Sequence, residues 1–177
     1  MKYIKNSLCF LAFLLLPIAA MAQESPVQKW IHSFEGKPGI TTVSISSTMF
    51  KLLSKVNSSD PDYKDIIRFS SKLQDFKIVV VEDDDPKKAM AKNEFARLVG
   101  GAPLAGYEEL MSVNESGSHI VFRVLERNDH IQELIMTITG TDQVIMFIKG
   151  DFKLSELTEI SDDMNITGMN KIKKLKK

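Results

Sequence analysis

Apolar positions along the chain change their period several times, and each change marks an element. Ser25-Pro26 leads into Val27, Trp30, Ile31 and Phe34, spaced i, i+3, i+4 and i+7. A serine cap, a proline in the first turn and that spacing predict an amphipathic helix, ended by Gly36 and Pro38-Gly39. From Ile40 to Ser46 the pattern alternates, with Val43 and Ile45 on one face, which predicts a strand. Thr48 is then placed to cap a helix carrying Met49, Phe50, Leu52, Leu53 and Val56, broken by Asn57-Ser-Ser-Asp-Pro61. A second helical stretch holds Ile66, Ile67, Phe69, Ser70 and Leu73. Phe76-Lys-Ile-Val-Val-Val81 is apolar on both faces, as a strand covered on both sides is. Asp85-Pro86 opens another helix, with Met90, Ala91, Phe95, Leu98 and Val99 inward and Gly100-Gly101 at its end.

Beyond residue 107 the pattern is that of successive strands, near 108–115, 118–127, 131–139 and 143–150. Ser116-Gly117, Asn128-Asp129 and Gly140-Thr141-Asp142 supply the turns between them. A short helix from Leu154 to Ile160 closes the chain's regular structure. This order predicts an α+β fold: a mixed or antiparallel sheet ending in a four-strand meander, with helices packed on it. It argues against a doubly wound nucleotide-binding fold. Met111, Met136 and Met146 lie among Val, Ile and Phe and read as core filling. Leu134, Ile135 and Met136 run consecutively, so this strand is apolar on both faces, which leaves room for a second layer, a homodimer contact or a partner groove.

The N-terminus changes the picture. Lys2 and Lys5 precede an uncharged run from Leu8 to Ala20, too short to span a bilayer comfortably, which takes about 20 residues. Ala20-Met21-Ala22 is a small-x-small cleavage pattern, so residues 1–22 read as a signal peptide cut between Ala22 and Gln23. An uncleaved anchor is the rival reading. The single cysteine, Cys9, lies inside this segment and not after the cleavage site, where a lipid-anchored cysteine stands. The expectation is therefore an exported, periplasmic or secreted chain that is not a lipoprotein and has no disulfide. The domain spans 23–170, and 171–177 form a basic tail.

The 177 residues carry 23 bases and 23 acids. Without Lys2 and Lys5, and without the five tail lysines, residues 23–170 keep 16 bases against 23 acids, a net charge of −7. Zero net charge thus conceals an acidic body, which disfavours nucleic acid as a partner. The tail residues Lys171, Lys173, Lys174, Lys176 and Lys177 offer a weak contact to an anionic surface, about 1 kcal/mol per lysine near lipid. With Ile172 and Leu175 as its only apolar anchors, the tail reads more simply as a solvated terminus.

Candidate chemistry is sparse. The chain has no G-x-S-x-G elbow and, after cleavage, no cysteine; its histidines are His32, His119 and His130. No H-x-x-x-H or H-E-x-x-H spacing occurs. Glu82-Asp83-Asp84-Asp85 lacks the spacing of a calcium loop and reads as a strand end followed by a helix cap. Gly100-Gly101 follows a helix, the reverse of a phosphate cradle. Glu108-Glu109 and Asp162-Asp163 are neighbours in sequence only. No catalytic, metal or cofactor residue is assigned.

Four segments together resemble a known family: Ile40-Thr-Thr-Val-Ser-Ile-Ser-Ser-Thr-Met-Phe50, Gly106-Tyr-Glu-Glu-Leu-Met-Ser-Val113, Ile131-Gln-Glu-Leu-Ile-Met-Thr-Ile138 and Ile148-Lys-Gly-Asp-Phe152. They are similar to domain-of-unknown-function family 4252. That resemblance implies an envelope protein of the Bacteroidota, exported or lipid-anchored, with no assigned activity and no functional residues to transfer. Many members carry a lipoprotein cysteine, and this chain departs from that. The sequence favours a non-catalytic periplasmic or envelope interaction module, with an envelope protein or a second copy as partner. The alternative is a small envelope hydrolase using Asp, Glu and His119 or His130.

Overall fold

The computed structural model describes residues 24–56, 61–82 and 88–157. The expected signal segment with its Ala22–Gln23 cleavage, the Asp83–Asp85 run, residues 158–160 of the closing helix, Asp162-Asp163 and the lysine tail 171–177 lie outside the described residues. The chain forms α1 (Pro26–His32), β1 (Ile40–Ser46), α2 (Ser47–Leu53), α3 (Pro61–Ser70), β2 (Leu73–Val81), α4 (Lys88–Gly100), β3 (Glu108–Glu115), β4 (Ser118–Arg127), β5 (His130–Gly140) and β6 (Val144–Phe152). A last helical turn covers 154–157.

The six strands make one sheet in the order β1-β2-β6-β5-β4-β3, every pair antiparallel. The meander β3 to β6 is joined by tight hairpins. Ser116 and Gly117, and Asn128 and Asp129, all have positive φ, the backbone of a two-residue turn whose twist matches that of the strands. At the open end of β5, Gly140 has φ +111, and a Cβ there would sit 2.1 Å from the Gly117 carbonyl oxygen, so only glycine fits.

Alternation along each strand sends side chains to two faces, and both faces are covered. On one, Val27, Trp30, Ile31 and Phe34 of α1 and its following turn pack with Ala91 and Phe95 of α4 over Val79, Ile135, Ile145 and Phe147. Trp30 meets Phe34 edge-on at 5.3 Å, and its indole N–H donates to the Leu98 carbonyl at 2.8 Å. On the other face, Phe69 of α3 and Leu157 cover Phe122, Val124, Leu134, Met136, Met146, Ile148 and Phe152. Each such side chain contributes about 1.5–3 kcal/mol on leaving water. The run Leu134-Ile135-Met136 divides between the two cores, as its continuous apolarity requires.

Three local expectations are corrected. Strand β1 runs into α2 without a loop, so the cap position is Ser46 and not Thr48, and Ser46 makes no side-chain cap bond. Leu73 belongs to β2, because α3 stops at Ser70. Met90 was expected inward but is 73% exposed. The buried line of α4 is Ala91 and Phe95, four residues apart, and Met90 lies about 100° round the helix from Ala91.

Candidate functional site

A connected group of polar side chains lies under the first turn of α1, around the buried Glu133. Ser25 caps this helix: its Oγ accepts from Gln28 N at 3.2 Å, while Gln28 Oε1 accepts from Ser25 N at 3.0 Å. The same two side chains also reach the sheet. Ser25 Oγ donates to Glu133 Oε2 at 3.1 Å, and Gln28 Nε2 donates to Asp75 Oδ2 at 2.8 Å. Asp75, Lys149 and Glu133 face one another across β2, β6 and β5, a row of acid, base and acid. Lys149 Nζ donates to Gln28 Oε1 at 2.9 Å and lies 3.7 Å from Glu133 Oε1.

Glu133 is only 3% exposed. A bare carboxylate there would be costly, and it is compensated by Ser25, Lys149 and the Tyr107 hydroxyl, which donates to Oε2. Burial, and then the bond to Glu133, push the Tyr107 phenol above its ordinary range, so it keeps its proton and remains a donor. Two residues further along β2, the buried Lys77 ammonium is met from α1: its Nζ is 3.1 Å from His32 Nε2 and 3.7 Å from Glu35 Oε1. The His32 ring also approaches Glu24 at 2.6 Å and Glu35 at 2.7 Å.

Beside this network opens a cleft of about 670 Å³, where Glu24 and Gln28 of the α1 entry face Ser47 and Lys51 of α2 and Asp75 and Lys149 of the sheet. Its two carboxylates are engaged, Asp75 by Gln28 and Glu24 by His32. Nucleophilic chemistry needs a hydroxyl within hydrogen-bond reach of a base, and no histidine lines this cleft among the described residues. The arrangement fastens α1 to the sheet and leaves a groove of mixed charge.

The histidines considered in sequence lie in three separate places. His119 faces Asn114 at 2.8 Å beside an open depression of about 470 Å³ at the hairpin tips. His130 at the start of β5 faces Asp151 at the end of β6 at 2.6 Å, and His32 is on α1. The imidazole of His130 holds the Asp151 carboxyl below its usual range. Glu109 pairs with Arg123 at 3.1 Å on the β3 edge, and Glu82 accepts from Thr41. No group of three or more His, Cys, Asp or Glu is placed to hold a metal ion among the described residues. Glu133, Lys77, Lys149 and Tyr107 were not singled out in sequence. The available signal was a charge inside each β-prone run: Lys77, two residues after Asp75, in β2, Glu133 in β5, and Lys149, two residues before Asp151, in β6.

The other feature lies on the surface. In α2, Phe50 is buried, yet Met49, Leu52 and Leu53 are exposed, Leu52 by 58%, and so is Val56 just past the turn that ends the helix. Val43 on the adjoining edge strand is 49% exposed. Lys51 and Lys55 flank this patch, and no acid occurs from Ile40 to Val56. Normally one face of such a helix is apolar because it is covered.

A family model described as Domain of unknown function (DUF4252) matches residues 34–160. No curated protein and no solved structure matches the chain. The match spans most of the chain, from the end of the α1 turn through the last described helical turn, and the chain belongs to the DUF4252 family.

Proposed function

We propose that this member of the DUF4252 family is a non-catalytic interaction module of the cell envelope, exported behind a cleaved signal segment. The observation that carries this reading is the exposed apolar patch of α2 and the turn that follows it. Leaving Met49, Leu52, Leu53 and Val56 in water forfeits burial that the rest of the chain secures for side chains of the same kind. A partner covering them would recover it. The flanking Lys51 and Lys55 favour a partner surface with acidic groups at its rim. The hydrolase alternative draws less support, since the carboxylates of the cleft are held by Gln28 and His32.

The test is affinity capture from envelope extract with mass spectrometry, comparing the parent protein with a Leu52→Glu/Val56→Glu variant. Both positions are exposed, so the variant keeps its fold. Enrichment of a defined envelope protein by the parent, lost in the variant, is the expected result. No enrichment, or enrichment equal in both, would overturn the module reading.

A further inference from the structure

We propose that two copies of this chain pair edge to edge through β1, antiparallel about a two-fold axis at Val43, to make one continuous sheet. This deepens the interaction-module reading by naming one partner, a second copy, and one surface, the free edge of the sheet.

The two edges of the sheet differ. An edge strand exposes unpaired N–H and C=O groups, and proteins ordinarily guard it with charges, proline, a bulge or shortness. The β3 edge is guarded: Glu108, Glu109 and Glu115 are exposed, and the register shifts between Glu109 and Met111. The β1 edge has none of these devices. Ile40-Thr-Thr-Val-Ser-Ile-Ser46 has no charge and no proline, and its pairing with β2 is regular over all seven residues. Thr41, Val43, Ser44 and Ser46 are exposed, and α2, which follows β1 directly, contacts both β1 and β2. Among the described residues, no backbone hydrogen bond outside the β2 pairing engages Thr41 to Ile45.

This strand is complementary to itself. Antiparallel pairing centred on Val43 sets Val43 against Val43 of the second copy, and Thr41 against Ile45, on one face. On the opposite face Thr42 meets Ser44 and Ile40 meets Ser46. No two like charges oppose, and the half-exposed Val43 is covered by its own equivalent. Among the described residues, Thr42 Oγ1 is the buried side-chain oxygen without a hydrogen-bond partner. Ser44 of the second copy stands across from Thr42 on that face, a cross-strand pair of two hydroxyl residues without charge. Because α2 follows the C-terminal end of β1, the two α2 helices stand at opposite ends of the seam.

Sedimentation equilibrium of the purified protein should give twice the chain mass, and Val43→Lys should raise the dissociation constant at least about tenfold, since it places two ammonium groups on the axis. The thermal midpoint of the variant's monomer, measured at high dilution, should match that of the parent, which separates lost pairing from lost folding. In a Cys9→Ser background, Val43→Cys should crosslink on oxidation and Ile45→Cys alone should not, because Ile45 faces Thr41 across the seam. A parent protein that is monomeric at all concentrations, a dimer indifferent to Val43→Lys, or crosslinking by the Ile45→Cys variant and not by Val43→Cys would each overturn the proposal. A monomeric parent that still captures an envelope partner through α2 would sink the dimer and leave the module reading intact.

Discussion

Glu133 is the residue on which the buried polar network turns, and Tyr107 is the donor that makes its burial tolerable. Replacing Tyr107 with Phe removes a hydrogen bond to a buried carboxylate, a loss of about 1.5–3 kcal/mol. The effect should depend on pH. In the unfolded chain the phenol ionises near pH 10, whereas in the folded protein its pKa is raised. Between those values the folded state holds a proton that the unfolded state has released, so this contribution is complete below about pH 10 and declines as pH rises further. Urea unfolding of the parent and Tyr107→Phe at pH 8 and near pH 11 should therefore show a gap that narrows in alkali. A gap of constant size would mean the Tyr107 proton is not held by the fold. Nothing in the sequence joins Tyr107 to Glu133, which stand 26 residues apart and meet only when β3 and β5 take their places in the sheet.

At the scale of elements, α1 depends on one serine with two tasks. Ser25 caps the helix and also donates to Glu133, so the helix start and its attachment to β5 share one hydroxyl. Ser25→Ala should lose the cap, typically about 1 kcal/mol, and a bond to a buried charge, lowering the thermal midpoint by several degrees. Ser25→Asp separates the tasks. Aspartate caps as well as serine, but here it would turn a second carboxylate toward Glu133, so Asp should be the less stable of the two variants. An Asp variant as stable as the parent in thermal melts would show that only the cap matters. The cap and the helix were legible in sequence because both are local: Ser25, Pro26 and the 3.6-residue spacing lie within ten positions. The meander was legible for the same reason, its hairpins being written in Ser116-Gly117 and Asn128-Asp129. Which strand lies beside β6 was not, since β2 joins it from some 70 residues away. The row Asp75–Lys149–Glu133 depends on that pairing, so the candidate site stayed hidden with it. Met90 misled because the apolar spacing of α4 admits more than one inward face and tertiary packing makes the choice, and Thr48 misled because β1 runs into α2 without the loop that a separate cap would need.

For the molecule as a whole, the acidic body raises the question of which electrostatic effect governs stability as pH falls. Residues 23–170 carry a net charge of −7 at neutral pH, so the first few protonations relieve a diffuse repulsion, although 16 bases against 23 acids carry the body past neutrality to a net positive charge once most carboxylates are protonated. Against this stand three carboxylates that tie separate elements together and whose pKa values are lowered in the folded state. Glu94 on α4 is brought down to about 2 by hydrogen bonds from Arg97 and then Lys37, which lies just before β1. Asp151 on β6 is lowered by His130 at the start of β5. Glu156 in the last helical turn is lowered by the Lys153 backbone N–H and then by Lys72, just ahead of β2. A carboxylate with a depressed folded pKa stabilises fully above its unfolded value, near 4, and loses that contribution as pH falls through the depressed one. The diffuse repulsion acts between exposed charges and is screened within about 10 Å at 0.1 M salt, whereas these pairs are in contact. Loss of the local ties and the positive charge that builds up as the carboxylates protonate act in the same direction, so the thermal midpoint should fall between pH 5 and pH 2.5. Glu94→Gln cannot titrate, so the variant should start slightly lower at pH 7 and lose less over that interval, the two melting curves converging in acid. Because the pairs are exposed, added salt should reduce the difference at pH 7. Parallel midpoint-against-pH curves for parent and variant would show that the Glu94 pairs contribute nothing to acid sensitivity, which would then rest on the other two ties and on the positive charge that builds up in acid.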